Sequence, residues 1–209
     1  MNKLDRKKHW DTIYNTKETK DLGWYQSVPV ISLDIFLKCQ LSLNAKIIDI
    51  GGGDSYFVDE LIKLGYTDIT VLDISETAIN HAKNRLGDAG KTVNWIISDV
   101  TDFKPVGKYD LWHDRATFHF LTDEKEISAY ADIAGNNMNH DGILVIGTFS
   151  EQGPDTCSGI NIRQYSEKTL CQRFHPYFEK IHCFKTDHKT PHGSLQNYIF
   201  CTFRKITVK

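Results

Sequence analysis

The stretch that decides the fold is IIDIGGGDSYFVDELIKLGY, from Ile47 to Tyr66. Apolar residues with a single acid, Asp49, lead into three consecutive glycines, and an apolar pattern of helical spacing begins at Phe57. This order predicts a buried strand, a turn almost without side chains, and a helix that starts directly afterwards. Because glycine has no Cβ, such a turn lets main-chain N–H groups approach a ligand closely. A turn without a ligand is the alternative, but three glycines weaken a strand end, so the pattern favours a binding site.

A dinucleotide is the first ligand to test against this turn. The dinucleotide fingerprint needs glycine at the first, third and sixth positions, the last for close packing of the helix on the strand. Counted from Gly51, the third position is Gly53 but the sixth is Tyr56, which would hold the helix away from the strand. The turn therefore does not fit a nicotinamide or flavin dinucleotide.

The turn resembles motif I of the class I S-adenosylmethionine-dependent methyltransferases, an acid and one further residue followed by a glycine-rich turn. Asp49, Gly51 and Gly53 match this motif, and Ser55 stands where many members carry another glycine. The family's later landmarks follow in order: VLDIS at 71–75, IISDV at 96–100, YDLWHD at 109–114 and HDGILVIGTF at 140–149. The resemblance spans residues 44–204, and its specificity comes from the ordered set, since each piece alone is common.

Beyond Asn44 predicted strands alternate with helices, which implies right-handed crossovers and a parallel sheet covered on both faces. Ser75 is expected to cap one helix, and Thr122 another that runs to about Met138. Near the C-terminal end, FEKIHCFKTD and SLQNYIFCTFRKI are separated by residues 188–193 alone, too few for a crossover, so they predict an antiparallel hairpin. We expect an α/β fold with a doubly wound, mostly parallel seven-stranded sheet, an antiparallel C-terminal strand and helices on both faces, as the resemblance also implies.

The domain organisation predicted is an N-terminal helical or lid segment, residues 1–40, followed by a core domain, residues 41–209. In the first part, Trp10, Ile13 and Tyr14 have helical spacing. Trp24 and Tyr25 then lie in a glycine-flanked polar stretch and could close over a cofactor, as N-terminal lids do in many members of the family. An equal alternative is that these aromatic residues anchor the segment to the core.

The resemblance implies S-adenosylmethionine as cofactor. It assigns Asp49 to the glycine turn and to the methionine ammonium, Asp73 to the ribose hydroxyls, and Asp99 with the Val100 N–H to the adenine. Asp73 could instead be a helix cap, but Ser75 already fits that role, whereas Asp99 could be an ordinary acid at a strand end. The expected cofactor-binding residues are Trp24, Asp49, Gly51, Gly52, Gly53, Asp73, Ile74, Asp99 and Val100.

The acceptor site is expected beyond the carboxyl ends of the fourth and fifth strands, where ligands bind in open parallel sheets. The candidates there are His113, Asp114 and His119 as bases, and Arg115 and Arg163 for an anionic acceptor. A structural hydrogen bond is the alternative for each. The position after the fourth strand reads HDRA without the Asn/Asp-Pro-Pro-aromatic motif, so the resemblance does not extend to the subgroup that methylates adenine or glutamine amino groups. Cys157 could touch a soft acceptor but is more simply an ordinary loop cysteine.

Composition narrows the class of protein. The 209 residues carry a net charge of −2, which gives no general attraction to nucleic acid or membranes. No apolar run reaches the roughly 18 residues of a membrane span, and the charged start MNKLDRKKHWD is unlike a secretory signal. The five cysteines show no zinc-like spacing, so we expect no metal and reduced thiols in a cytoplasmic protein.

The function expected is transfer of a methyl group from S-adenosylmethionine to an unidentified, small-molecule acceptor. A protein lysine methyltransferase is the second hypothesis, and a non-catalytic module that binds S-adenosylmethionine is the third. As partners we expect the acceptor, no nucleic acid and no membrane, with the chain a monomer or homodimer.

Overall fold

A computed structural model describes residues 3–206, so the outermost residues of the two expected segments, 1–2 and 207–209, lie outside the described residues. The elements are α1 (Lys3–Thr16), α2 (Val30–Lys38), β1 (Lys46–Ile50), α3 (Phe57–Lys63), β2 (Asp68–Asp73), α4 (Glu76–Leu86), β3 (Asn94–Ile97), β4 (Tyr109–Arg115), α5 (Glu124–Asn136), β5 (Met138–Phe149), β6 (Thr156–Cys157), β7 (Ile160–Asn161), α6 (Glu167–Phe174), β8 (Phe178–Lys189) and β9 (Leu195–Lys205).

Seven strands form one sheet in the order β3-β2-β1-β4-β5-β9-β8. Strands β1 to β5 pair in parallel, and β9 runs antiparallel to both β5 and β8. The predicted fold class is therefore confirmed, including the C-terminal hairpin. Because β1 pairs with β2 on one side and β4 on the other, the order of the strands switches at β1, and a crevice opens beyond the carboxyl ends of β1 and β4.

Apolar side chains alternate along the central strands and so build a core on each face of the sheet. On one face, Ile48, Trp112 and Leu144 pack with residues of α5 and α6. On the other, Ile47 and Leu111 pack with residues of α2, α3 and α4. The predicted helical cover on both faces follows from this alternation.

The predicted N-cap of α4 is confirmed, and that of α5 is wrong. Ser75 accepts a hydrogen bond from the Ala78 N–H and caps α4. Helix α5 is capped by Asp123, whose carboxylate accepts from the N–H groups of Lys125 and Glu126. A carboxylate next to Thr122 takes the cap because its charge also interacts favourably with the helix dipole.

The expectation of five reduced cysteines is wrong for Cys183 and Cys201, which form a disulfide between β8 and β9. These residues lie directly opposite each other in the strand register. Their separation of 18 residues follows no recognisable motif, so only the register of the hairpin brings them together. Cys39, Cys157 and Cys171 have free thiols.

Within residues 3–206, no helix is both long enough and apolar enough to cross a membrane.

Candidate functional site

The glycine turn after β1 is built where a side chain would not fit. Gly51 has a φ of 64° and Gly53 one of 35°, and a Cβ on Gly51 would collide with the side chain of Thr117. A Cβ on Gly52 would meet the carboxylate of Asp49. The N–H groups of Gly51 and Gly52 donate to the carbonyl of Leu72, so these two donors are engaged within the protein. The absence of side chains in the turn thus allows a ligand to approach the nearby acids closely, whereas the N–H groups of Gly51 and Gly52 are not free to donate to it.

Asp49 is almost completely buried within β1, and one of its oxygens has no partner. The Nδ1 of His113 lies 2.6 Å from Asp49 Oδ1, and its Nε2 lies 2.9 Å from the hydroxyl of Ser32. The expected partner was the glycine turn, but the partner observed is an imidazole on β4. Asp49 Oδ2 is buried without a hydrogen bond. An unpaired buried carboxylate oxygen is costly, and a positively charged donor from a ligand would compensate this cost.

Asp73 ends β2 and turns its carboxylate into the crevice beside Gly53. Its Oδ1 accepts a hydrogen bond of 2.8 Å from the Ser75 N–H. Burial raises the pKa of Asp73 to about 7, and the charge of Asp49 contributes in the same direction. The side chain is therefore a buried acceptor with little stabilisation from the protein itself, which is typical of a ligand-binding carboxylate.

Asp99 and Val100 follow β3 on the same side of the sheet. Asp99 Oδ1 accepts from the N–H and hydroxyl of Thr101, and Arg6 of α1 lies 3.3 Å from Asp99 Oδ2. Both oxygens of Asp99 thus have protein partners, whereas Asp49 has a partner for one oxygen and none for the other. Val100 is buried, and Ile74 lines the crevice nearby.

Two adjoining cavities occupy the crevice. The first has an empty volume of about 780 Å³, including its open mouth, and contains the carboxylates of Asp73 and Asp99. The second, of about 570 Å³ measured in the same way, contains Asp49. Both are lined by Tyr14, Trp24, Gly51 and Arg115. All of the expected cofactor residues except Gly53 therefore line one or both of these adjoining cavities.

The N-terminal segment covers this crevice. Asp11 of α1 accepts hydrogen bonds from the Ser75 hydroxyl, at 2.7 Å, and the Thr77 N–H, at 3.3 Å, at the start of α4. Trp10 makes edge contacts with Trp24 and Phe120.

Sequence reasoning missed several residues of this cover and of its support. Arg6 and Phe120 line the first cavity, and Ser32 supports His113. A signal was present for Arg6, because Arg6, Trp10 and Tyr14 are spaced four residues apart and so share one face of α1. Phe120 ends the stretch WHDRATFHF, residues 112–120, which the sequence places at the expected acceptor site, whereas nothing in the sequence placed Ser32 there.

The three candidate bases are buried, and of these His113 lines the second cavity whereas Asp114 and His119 line neither cavity. His113 is held between Asp49 and Ser32 as described. Asp114 accepts from the N–H groups of Thr117 and Phe118 and from the Tyr130 hydroxyl, at 3.0, 3.1 and 2.7 Å. Burial raises the pKa of Asp114 to about 6.

His119 is fully buried and neutral. Its Nδ1 accepts a hydrogen bond of 3.4 Å from the Phe149 N–H, while Nε2 has no partner. Burial, assisted by the charge of Arg115, lowers the pKa of His119 to about 3. His119 lines neither of the two cavities.

The two candidate arginines have different surroundings. Arg115 lines both cavities, whereas Arg163 lines neither and pairs with Glu124 at 2.5 Å. Cys157 lines the first cavity, and burial raises the pKa of its thiol to about 11. The structure therefore brings Arg115 and Cys157 to the crevice and leaves Arg163 outside it. Within residues 3–206, no cluster of three or more His, Cys, Asp or Glu side chains could hold a metal ion.

Residues 47–136 match the sequence profile of a family described as "Methyltransferase domain". Malonyl-[acyl-carrier protein] O-methyltransferase 2 of Ilyobacter polytropus is 30% identical over 111 residues, which are 53% of this chain and 40% of that protein. EEF1A lysine methyltransferase 2 of Danio rerio is 30% identical over 130 residues, 57% of this chain and 56% of that protein. The chain thus spans only about half, or less, of these relatives.

A solved structure of an S-adenosylmethionine-dependent methyltransferase from Anabaena variabilis superposes with a TM-score of 0.76 at 13% identity, covering 99% of this chain and 96% of that chain. This similarity concerns the fold. Residues 47–136 therefore match the methyltransferase-domain family, and the fold, with acids near the ends of β1, β2 and β3, is that of a solved S-adenosylmethionine-dependent methyltransferase.

Proposed function

We propose that the chain transfers the methyl group of S-adenosylmethionine to a small-molecule acceptor. The observation that carries this proposal is the unpartnered buried oxygen of Asp49, which lies in the same crevice as the buried carboxylate of Asp73. One acid would receive the ammonium of the cofactor's methionine part, and the other its ribose hydroxyls. The residues present therefore fit the cofactor that the family implies.

The remaining cofactor contacts follow from the lining of the two cavities. Ile74 and Val100 offer apolar contact to the adenine, and Asp99, although paired with Arg6, can accept from the adenine amine. Gly51 and Gly52 line the second cavity without adding side chains to it, and Trp24 lines both cavities.

When bound, S-adenosylmethionine supplies a methyl group on a positively charged sulfur, which makes that methyl electrophilic. The protein's contribution is then to align an acceptor at about 3–3.5 Å and to exclude water, which can supply roughly 7–11 kcal/mol. Trp10, Trp24 and Phe120 provide the walls for this purpose. We assign His113 and Asp114 to positioning, because their hydrogen bonds fix Asp49 and the turn after β4. The burial of His119 beside Phe149 also supports a positioning role.

A protein lysine methyltransferase remains the second candidate, supported by the similarity to EEF1A lysine methyltransferase 2. A non-catalytic binding module is the third. The cavities favour a small acceptor over a lysine side chain, because the charge of Arg115, which has no acid partner, would repel a lysine ammonium.

We also propose a monomer or homodimer that does not bind nucleic acid, in line with the net charge of −2. A cytoplasmic location agrees with the three free thiols, whereas the Cys183–Cys201 disulfide would be unusual there.

Calorimetry with S-adenosylhomocysteine and with a nicotinamide dinucleotide tests the cofactor assignment. We expect micromolar binding of S-adenosylhomocysteine and much weaker binding of the dinucleotide. Asp73→Asn should weaken binding, whereas Asp68→Asn, at the exposed start of β2, is the matched control and should not. The opposite preference between the two ligands would refute the proposal.

A further inference from the structure

Arg115 is a partly buried arginine that forms no salt bridge with an acidic side chain of the described residues. It ends β4 and lines both cavities. One nitrogen donates to the carbonyl of Trp24 at 3.0 Å, and the guanidinium carbon lies 5.1 Å from the centre of the Tyr198 ring. Within residues 3–206, no carboxylate oxygen lies within 4 Å of it. The remaining N–H groups of its planar fork are available to a ligand.

The other arginines show that this is a distinctive arrangement. Four of them are partly buried, and each pairs with at least one acid: Arg6, Arg85, Arg163 and Arg173. The fifth, Arg204, is exposed. Arg115 is partly buried as well, so its charge is incompletely solvated and has no counter-ion from the protein. An anionic group from a ligand would supply the missing charge.

The position of Arg115 indicates which ligand that is. Arg115 lines both the cavity that contains Asp73, assigned to the ribose, and the cavity that contains Asp49, assigned to the methionine ammonium. The methyl-bearing sulfur connects these two parts of the cofactor, so Arg115 is placed where the acceptor must approach. Trp10, Phe120 and Leu121 provide an apolar wall beside it.

The acids and histidines that line the cavities leave no general base for a neutral acceptor. In the part of the chain that the structure describes, they are Asp49, Asp54, Asp73, Asp99 and His113. Three are assigned to the cofactor, His113 supports Asp49, and Asp54 pairs with Arg85. An amine with a pKa near 10.4 would have no group to take its proton, whereas a carboxylate is already ionised at neutral pH.

Resting on the proposed function, we propose that the acceptor is a small organic carboxylate with an apolar body and that Arg115 recognises its charged group. A carboxylate oxygen forms the new bond to the methyl carbon as the bond from that carbon to the cofactor's sulfur breaks, and the sulfur keeps the electron pair. The products are a methyl ester and S-adenosylhomocysteine. No proton is transferred, and the planar fork of Arg115 matches the two oxygens of the acceptor.

Binding of matched probes to the protein saturated with S-adenosylhomocysteine tests this. The probes are phenylacetate, phenylacetamide and phenethylamine, with octanoate, octanamide and octylamine as an aliphatic series. Affinity is measured by calorimetry and by the fluorescence of Trp10 and Trp24, which line the first cavity. We expect a carboxylate of at least one series to bind roughly tenfold more tightly than its amide and its amine.

Arg115→Met should abolish this preference, while Arg115→Lys should keep part of it because an ammonium retains the charge but lacks the fork. The matched control is Arg173→Met, whose arginine pairs with Glu124 and lines neither cavity. Thermal melts establish that each variant is folded.

Four results would overturn the inference: an amine or amide that binds as tightly as its carboxylate, a preference that survives in Arg115→Met, no carboxylate binding in either series, or loss of S-adenosylhomocysteine binding in folded Arg115→Met. The last would assign the guanidinium to the cofactor's own carboxylate. Failure of the wild-type protein to bind S-adenosylhomocysteine would instead refute the proposed function, so the two failures are distinguishable.

Discussion

Replacing Asp73 by asparagine should weaken cofactor binding and stabilise the free protein. The side chain keeps its shape and can still accept from the Ser75 N–H, but it loses its charge. A structural acid at a helix start would behave differently, because its removal would lower stability and leave cofactor affinity unchanged. The two effects of one substitution therefore separate a binding role from a capping role.

The effect on stability follows from the pKa of Asp73, which burial raises from 3.8 to about 7. Between these values the folded protein holds a proton that the unfolded chain has released, so stability falls as the pH rises through this window. At pH 8 the ionised carboxylate costs at most about 4 kcal/mol. Asp73→Asn removes this cost, and its melting temperature should exceed that of the wild type at pH 8, with the difference shrinking toward pH 4.

The effect on binding has the opposite sign. Hydrogen bonds to a charged acceptor are worth about 1.5–3 kcal/mol each, so the loss of one such contribution should weaken S-adenosylhomocysteine binding by about 10- to 150-fold. In the wild type, affinity should fall by up to about tenfold from pH 8 to pH 6 as Asp73 gains its proton. Calorimetry at pH 6, 7 and 8 measures both. A variant that is less stable at pH 8, with unchanged affinity and an unchanged pH profile, would refute the reasoning.

Three further substitutions or deletions test other parts of the site. Gly51→Ala should lower both melting temperature and cofactor affinity, because its Cβ would collide with Thr117 at a φ of 64°. Gly107→Ala, in open space, is its control. His113→Ala should lower the free energy of unfolding, measured by denaturant at neutral pH, by about 3 kcal/mol, because it leaves the buried carboxylate of Asp49 unpaired. An unchanged midpoint of unfolding would contradict this. Deleting residues 1–28 should leave a folded protein with weakened cofactor binding and no turnover, because the apolar cluster of α1 is separate from both main cores; a protein that fails to fold would show that the segment is an anchor.

The fold could be predicted because local patterns determine it. The glycine turn after a buried strand, the alternation of strands with helices and the short connection at residues 188–193 each have one simple structural solution. The acids at the ends of β1 and β2 could be predicted for the same reason, since parallel strands bring their carboxyl ends to one edge of the sheet.

The details that sequence reasoning missed depend on contacts between distant elements. The partner of Asp49 is set by the register of β1 against β4, which places His113 beside it. The disulfide depends in the same way on the register of β8 against β9. The sequence predicts that a side chain at Gly51 would collide with the ligand, but in the structure it would collide with Thr117, which follows β4. Such contacts have no periodic signal in the chain.

The most direct test of the account is to incubate the protein with methyl-labelled S-adenosylmethionine and a small-molecule extract of cells. We predict that the label appears in the low-molecular-weight fraction and that mild base releases it as methanol, as expected for methyl esters. With Asp73→Asn at a limiting concentration of the cofactor, this label should be absent. Label confined to protein, or no transfer by a protein that binds S-adenosylhomocysteine, would contradict the central claim that this crevice methylates a small molecule.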